Sequence, residues 1–295
     1  MAFSDIAIKK ASESAIFGLQ RHMGAFKLFA HNFSPVAGTQ YAGIQVPVYN
    51  LSAAADFVEG TNDYCSGADK VDGTVITLDK HFVKSIALPD TGIGVASGDY
   101  AGAASGEAEL NFIQDGARAI ADVLGTAASK YVFGMFNATN VTLSATMPTT
   151  KAGFAGLMKV CDDNGVDPFD CTLVLDPENY GALMGTLDAN IYGGPEAIRA
   201  GVIENIYGFK GVVMTGYLPE GVKGVIVPRD SFGVVTRINK PAVEGYVNTW
   251  TAEDGNGIGI GFRVFEHLCY GKALLAGDML VGAKVLPTSK AVRLV

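Results

Sequence analysis

The stretch "GTVITLDKHFVKSIALPD", Gly73 to Asp90, decides how the rest of this chain is read. Ile76, Leu78, Phe82, Ile86 and Leu88 share one face of an extended backbone, while Thr77, Asp79, His81 and Ser85 lie mostly on the other, because strand side chains alternate. The pattern predicts one strand from Thr74 to Leu88, about twice the usual length. A strand that long either crosses a large sheet or projects as an arm. Just upstream, "VPVYNLSAAADFVEGTNDYCSGADKVDG" supplies a first strand and a polar, glycine-containing tip, so the two segments together predict a two-stranded protrusion. A hairpin of this kind is marginal alone in water. Part of its apolar face must therefore be covered by another surface.

Working outward, residues 5 to 22 read as a helix, and Phe26 to Gln45 has the mixed apolar and turn character of an extended arm. After the glycine-rich joint "GIGVASGDYAGAASG", apolar residues recur at intervals of three and four: Leu110, Ile113, Ala117, Ile120, Leu124, Ala127, Tyr131 and Met135. Ser105 can cap this helix, and Glu107, Glu109 and Lys130 match its dipole. Its length, roughly 45 Å at 1.5 Å per residue, makes it a spine. Beyond Pro148 the pattern becomes αβα, with a helix near Lys151 to Asp162, the strand "CTLVLD", and a helix "PENYGALMGTL" capped by Asp176. Strands follow at "GVVMTGYLP" and "KGVIVPRDSFGVVTRI". The closing "GIGIGFRVFEHLCYGKALLAGDMLVGAKVL" predicts two or three strands with turns at Gly271 and near Gly277.

The chain has 295 residues, of which 48% are hydrophobic and 18% charged, ample for a sizeable core. Its 37 glycines against 11 prolines suggest many turns and close backbone contacts rather than linkers. A formal charge of −8 argues against a broad basic face for nucleic acid. Cys65, Cys161, Cys171 and Cys269 lie far apart without metal-ligand spacing, and read as buried or incidental thiols in a reducing cytoplasm. The start "MAFSDIAIKKASESAIFGLQ" places Lys9 and Lys10 inside its apolar pattern, which is not that of a signal peptide. No apolar run approaches a membrane span.

Catalytic constellations are nearly missing. "GNGIGIG", Gly255 to Gly261, spaces its glycines every second residue, which suits a turn entering a strand rather than a dinucleotide fingerprint. "DDNGVD", Asp162 to Asp167, lacks the alternating ligands of a calcium loop and reads as a helix end. His22, His31, His81 and His267 have no partner at metal-binding spacing. Glu266 and His267 are neighbours on a strand and point to opposite faces. No catalytic, cofactor or metal residue is therefore assigned.

The order of elements is more telling than any motif: arm, two-stranded loop, spine helix, αβ unit, terminal strands. Carried by "TVITLDKHFVKSIALPD", "EAELNFIQDGARAIADVLGTAASKYVFGMF", "LVLDPENYGALM", "IENIYGFKGVVMTGYLPEGVKGVIVPRDSFGVV" and "FRVFEHLCYGKALLAGDMLVGAKVL", it resembles the major capsid proteins of tailed phages with the Hong Kong 97 (HK97) fold. The resemblance covers almost the whole chain. It implies an α+β fold with an N-terminal arm at 1–37, an extended loop at 38–95, a peripheral domain with the spine helix at 96–145 and 261–295, and an axial domain at 146–260. In such shells the extended loop lies across a neighbouring subunit. The resemblance thus casts Ile76, Leu78, Phe82 and Ile86 as inter-subunit contacts, with Lys80 and Lys84 as polar contacts of the same strand.

The implied partners are further copies in hexamers and pentamers, a separate scaffolding protein, a portal, a decoration protein, and packaged double-stranded DNA as non-specific contents. The implied location is the virion capsid, assembled in the host bacterial cytoplasm. Two rivals stand beside this expectation. One is an encapsulin-like cellular shell of the same fold, whose cargo-docking pattern is not evident in "MAFSDIAIKKASESAIFGL". The other is a soluble α/β enzyme, which leaves the projecting strands and the lack of convergent polar residues unexplained.

Overall fold

The structure is a computed structural model that describes residues 5–34, 43–49, 71–89, 105–186, 204–229, 231–239, 246, 248–255, 257–267, 272–287 and 289–295. The helices are α1 (Asp5–Met23), α2 (Phe26–Phe29), α3 (Ser105–Gly134), α4 (Lys151–Asp163) and α5 (Pro177–Thr186). The strands are β1 (His31–Asn32), β2 (Gly43–Tyr49), β3 (Val71–Thr77), β4 (Lys80–Pro89), β5 (Leu143–Ala145), β6 (Cys171–Leu175) and β7 (Glu204–Ile206). They continue with β8 (Phe209–Met214), β9 (Gly224–Pro228), β10 (Phe232–Arg237), β11 (Asn248–Glu253), β12 (Gly259–His267), β13 (Lys272–Val285) and β14 (Val292–Leu294).

The expected spine is α3, 30 residues long. Its apolar stripe packs on two sides. Ala117, Ala121, Leu124 and Ala128 are buried with Ala11, Ala15, Leu19 and Met23 of α1, while Ile113 and Ile120 join Leu275 and Met279 of β13. The small alanines let the helices approach closely, so α1 is clamped onto its own subunit. The segment after α1, expected to be extended, makes a short buried turn of helix, where Phe26 and Phe29 join Phe133, Phe136 and Phe232 in one aromatic cluster. Burial of two large rings outweighs the propensity of a four-residue helix.

The sheet under the spine runs β1-β10-β13-β12-β11, with β4 antiparallel to β13 from Lys80↔Val281 to Pro89↔Lys272. β13 is one unbroken strand of 14 residues, so the turn expected near Gly277 is absent. Gly277 is there for another reason: a Cβ would come within 2.5 Å of Ile120 Cγ2, and glycine lets the spine settle onto the sheet. A second sheet runs β5-β14-β9-β6-β8-β7. All five residues of β6 are buried, because α4 and α5 cover one face with Phe154, Leu157 and Leu183 while Val174 packs into the spine core on the other.

Two strands expected as single units are split between sheets. "KGVIVPRDSFGVVTRI" becomes β9 in the second sheet and β10 in the first. The division expected between residues 260 and 261 falls inside β12, and β10 and β11 share the sheet of β12 and β13 while β14 belongs to the other. Hydrogen-bonded sheet membership therefore does not follow the sequence intervals. The expected long strand is also two strands: β3 pairs with β2 from Val71↔Tyr49 to Thr77↔Gly43, Leu78 and Asp79 break the ladder, and β4 starts at Lys80. The hairpin tip, residues 50–70, lies outside the described residues.

Candidate assembly surface at the root of the hairpin

The break at Leu78 and Asp79 is built from both sides. β3 crosses the sheet at Gly282, where a Cβ would collide with the carbonyl of Thr77, so only glycine lets the hairpin stem lie this close. Lys284 Nζ donates to the Val75 carbonyl at 3.1 Å. On the other side Tyr131 of the spine donates its hydroxyl to Asp79 Oδ1 at 2.6 Å. Lys80 Nζ sits 5.7 Å from the Tyr131 ring centroid, and Phe82 meets that ring edge-on at 6.4 Å. Burial, and then the hydrogen bond to Asp79, hold the Tyr131 phenol well above its ordinary range.

The six residues expected to contact a neighbour are placed as follows. Ile76 is fully buried in its own subunit, in a small core with Val46, Val235 and Leu286, and Leu78 packs against that core. Phe82 and Ile86 are half-buried against the spine core. Ile76 is thus not available to another molecule, a correction with a simple cause: the strand break turns β3 over the sheet, and the sheet supplies the missing surface. Lys80 and Lys84 are exposed, with Lys84 opposite Gly277 in register. The burial of Leu88 lies outside the described residues.

Large exposed apolar side chains at this root are ones the alternation placed on the polar face. Val83 is 59% exposed on β4 and Val75 is 46% exposed on β3. Among the described residues no strand pairs with the second edge of β4. An unpaired edge bearing an exposed valine is a template for another strand, restrained here by Lys80, Lys84 and Pro89.

Behind Val83 lies a polar node missed in the sequence. Asp278 is buried, and its Oδ2 accepts from His81 Nε2 at 2.9 Å, Arg263 Nη2 at 3.2 Å and Asn239 Nδ2 at 3.3 Å. Arg263 also donates to the Asn239 carbonyl at 3.0 Å. One carboxylate thereby joins β4, β12, β13 and the segment after β10. This is a structural staple: it brings together no nucleophile with a base. Of the other sequence features, "DDNGVD" ends α4, with Asn164 Nδ2 donating to the Val160 carbonyl. "GNGIGIG" turns into β12 with Gly255 and Gly257 at positive φ. His22 stands 3.4 Å from Asp122, and the side chains of Glu266 and His267 lie outside the described residues. Among the described residues no group of His, Cys, Asp and Glu could hold a metal, and no helix is long and apolar enough to cross a membrane.

No protein-family profile matches the chain, and no curated protein matches it. Solved structures do. One from Mycobacterium phage Che8 superposes with a TM-score of 0.58 at 16% identity, covering 91% of this chain and 90% of the other. The capsid structure of the cyanophage P-SCSP1u gives 0.55 at 15% identity, with 91% and 86% covered. A virus-like particle from Pyrococcus furiosus gives 0.52 at 11% identity, with 97% and 98% covered. At these identities the likeness is one of fold. It extends over nine-tenths or more of this chain, which has the α+β, HK97-like fold of phage capsid subunits.

Proposed function

We propose that this chain is the major capsid protein of a tailed phage, a structural protein that assembles with copies of itself into the icosahedral shell around packaged double-stranded DNA. The observation that carries the reading is the likeness to solved phage structures, a cyanophage capsid among them, over about nine-tenths of both chains. It is supported by the second edge of β4, with which no strand pairs among the described residues and which bears the exposed Val83. In this reading the β2–β3 hairpin and its tip reach a neighbouring subunit, and hexamers and pentamers form through Val75, Val83 and the tip, with Lys80 and Lys84 as polar contacts. A scaffolding protein, a portal and a decoration protein complete the set of partners, and assembly takes place in the host bacterial cytoplasm.

A net charge of −8 suits a wall that encloses DNA without adhering to it. Isolated subunits are expected to bind duplex DNA weakly and without sequence preference. Submicromolar, sequence-selective binding at physiological salt in a mobility-shift titration would contradict that. Sedimentation velocity of the protein co-expressed with scaffold tests assembly: a narrow, fast-sedimenting species is expected, against slow monomers and dimers only. A cellular compartment is the second reading, prompted by the virus-like particle from Pyrococcus furiosus. Protein cargo rather than nucleic acid inside the purified particles would favour it.

A further inference from the structure

The "DDNGVD" that ends α4 holds one of the chain's two Asn–Gly pairs, Asn164–Gly165, the other being Asn256–Gly257. Asparagine is among the chemically labile residues, and most so before glycine, where no Cβ crowds the backbone nitrogen that can attack the side-chain amide. In the folded chain that nitrogen is engaged. Gly165 stands at φ +63° and closes α4 in a Schellman motif: its N–H donates to the Asp162 carbonyl at 2.8 Å, and the Val166 N–H to the Cys161 carbonyl at 2.9 Å. The side-chain amide is engaged as well, since Asn164 Nδ2 donates to the Val160 carbonyl at 2.7 Å. Lys290 Nζ ties down the Gly165 carbonyl at 3.0 Å. Asn164 has ψ 4°, which sets the Gly165 nitrogen beside the backbone nitrogen of Asn164. Ring closure needs it beside Cβ instead, a third of a turn away. Water reaches the pair, because Gly165 is exposed and lines an open cleft of about 250 Å³ with Asp167 and Lys290 among others.

We propose that Asn164–Gly165 is a modification site gated by the last turn of α4: the pair cyclises to a succinimide, and opens with water to aspartate or isoaspartate, only when that turn unwinds. The Gly165 nitrogen, released from the Asp162 carbonyl, attacks Asn164 Cγ. A new C–N bond forms, the Cγ–Nδ2 bond breaks, and Nδ2 leaves as ammonia with the proton that the Gly165 nitrogen gives up. Water then adds to one of the two ring carbonyls. Breaking the new bond to Cγ gives aspartate, while breaking the original backbone C–N bond reroutes the chain through Cγ and gives isoaspartate. Nothing is oxidised or reduced. The product does not rebuild the old cap. A carboxylate has no proton to donate to the Val160 carbonyl, and its charge stands at the negative end of the helix among Asp162, Asp163 and Asp167. The modification thus weakens the cap whose opening allowed it. This chemistry is intramolecular and stands whether or not the chain assembles.

The test incubates the full-length protein at mildly alkaline pH, native and in denaturant, until Asn256 is modified in the denatured sample. Both Asn–Gly pairs are followed by peptide mapping with isoaspartate detection. In denaturant Asn164 should be modified alongside Asn256. In the native protein it should react on the order of tenfold more slowly or less, because only molecules with the turn open can cyclise. Equal rates at Asn164 in the two conditions would overturn the gating, and an Asn164 left intact in denaturant would overturn the site. Lys290→Ala removes the tie on the Gly165 carbonyl. It should speed the native reaction by roughly twofold or more and leave the rate in denaturant unchanged, whereas a native rate that it does not move would count against the cap as the gate.

Discussion

Asp278 shows how much one buried group can organise here. Its carboxylate is the only charge facing Arg263 across a hydrogen bond among the described ion pairs, and both side chains are largely shielded from water. Asp278→Ala would leave the guanidinium buried without its counter-charge, a change that costs about 3 kcal/mol or more. His81→Ala removes a half-exposed partner of the same oxygen, and should cost under about 1 kcal/mol. Urea unfolding of the two variants checks the difference, and equal effects would mean the node does not hold β4 to the sheet. Tyr131 gives a pH signature. Because the folded state holds its phenolic proton more tightly than the unfolded chain does, its contribution is complete below the ordinary tyrosine value of about 10 and is lost as pH rises beyond it. Thermal midpoints between about pH 9 and about pH 11 should therefore fall less in Tyr131→Phe than in the parent protein.

Strand β4 is where sequence and structure part most informatively. The spine helix was legible because its apolar interval persists over 30 residues, and the hairpin because β2 and β3 both alternate. The break between β3 and β4 was not, since Leu78, Asp79 and Lys80 contain neither glycine nor proline and the alternation runs straight through them. What breaks the strand lies far away: Gly282 on one side, Tyr131 on the other. The Asp278 node was hidden for the same reason, as its partners stand 15 to 197 residues away along the chain. The consequence is a reversal of roles along the strand. Phe82 and Ile86, half-buried against their own spine, contribute roughly half of the 1.5 to 3 kcal/mol of a fully buried side chain. Phe82→Ser with Ile86→Ser should thus lower the monomer's own thermal midpoint. Val83→Lys should shift monomer stability by no more than about 0.5 kcal/mol yet impair assembly. Thermal unfolding beside light scattering during scaffold-assisted assembly separates the two. A Val83→Lys protein that assembles normally would remove this edge from the subunit interface.

For the molecule as a whole, the spine, the first sheet and one face of the second share a core that includes Val174, Val225, Phe232 and Val281, while the other face of the second sheet forms a separate core with α4 and α5. Such a body carries its own core and has Val75 of the hairpin stem and Val83 of the β4 edge among its exposed apolar side chains. That division of labour suits a shell subunit, where a stable body carries contacts completed only by neighbours. Electron microscopy of the purified protein, alone and co-expressed with its scaffold, tests this most directly. Closed shells of uniform diameter are expected, with the hairpin of each subunit lying against the next. Monomers or dimers alone, under every assembly condition, would contradict it.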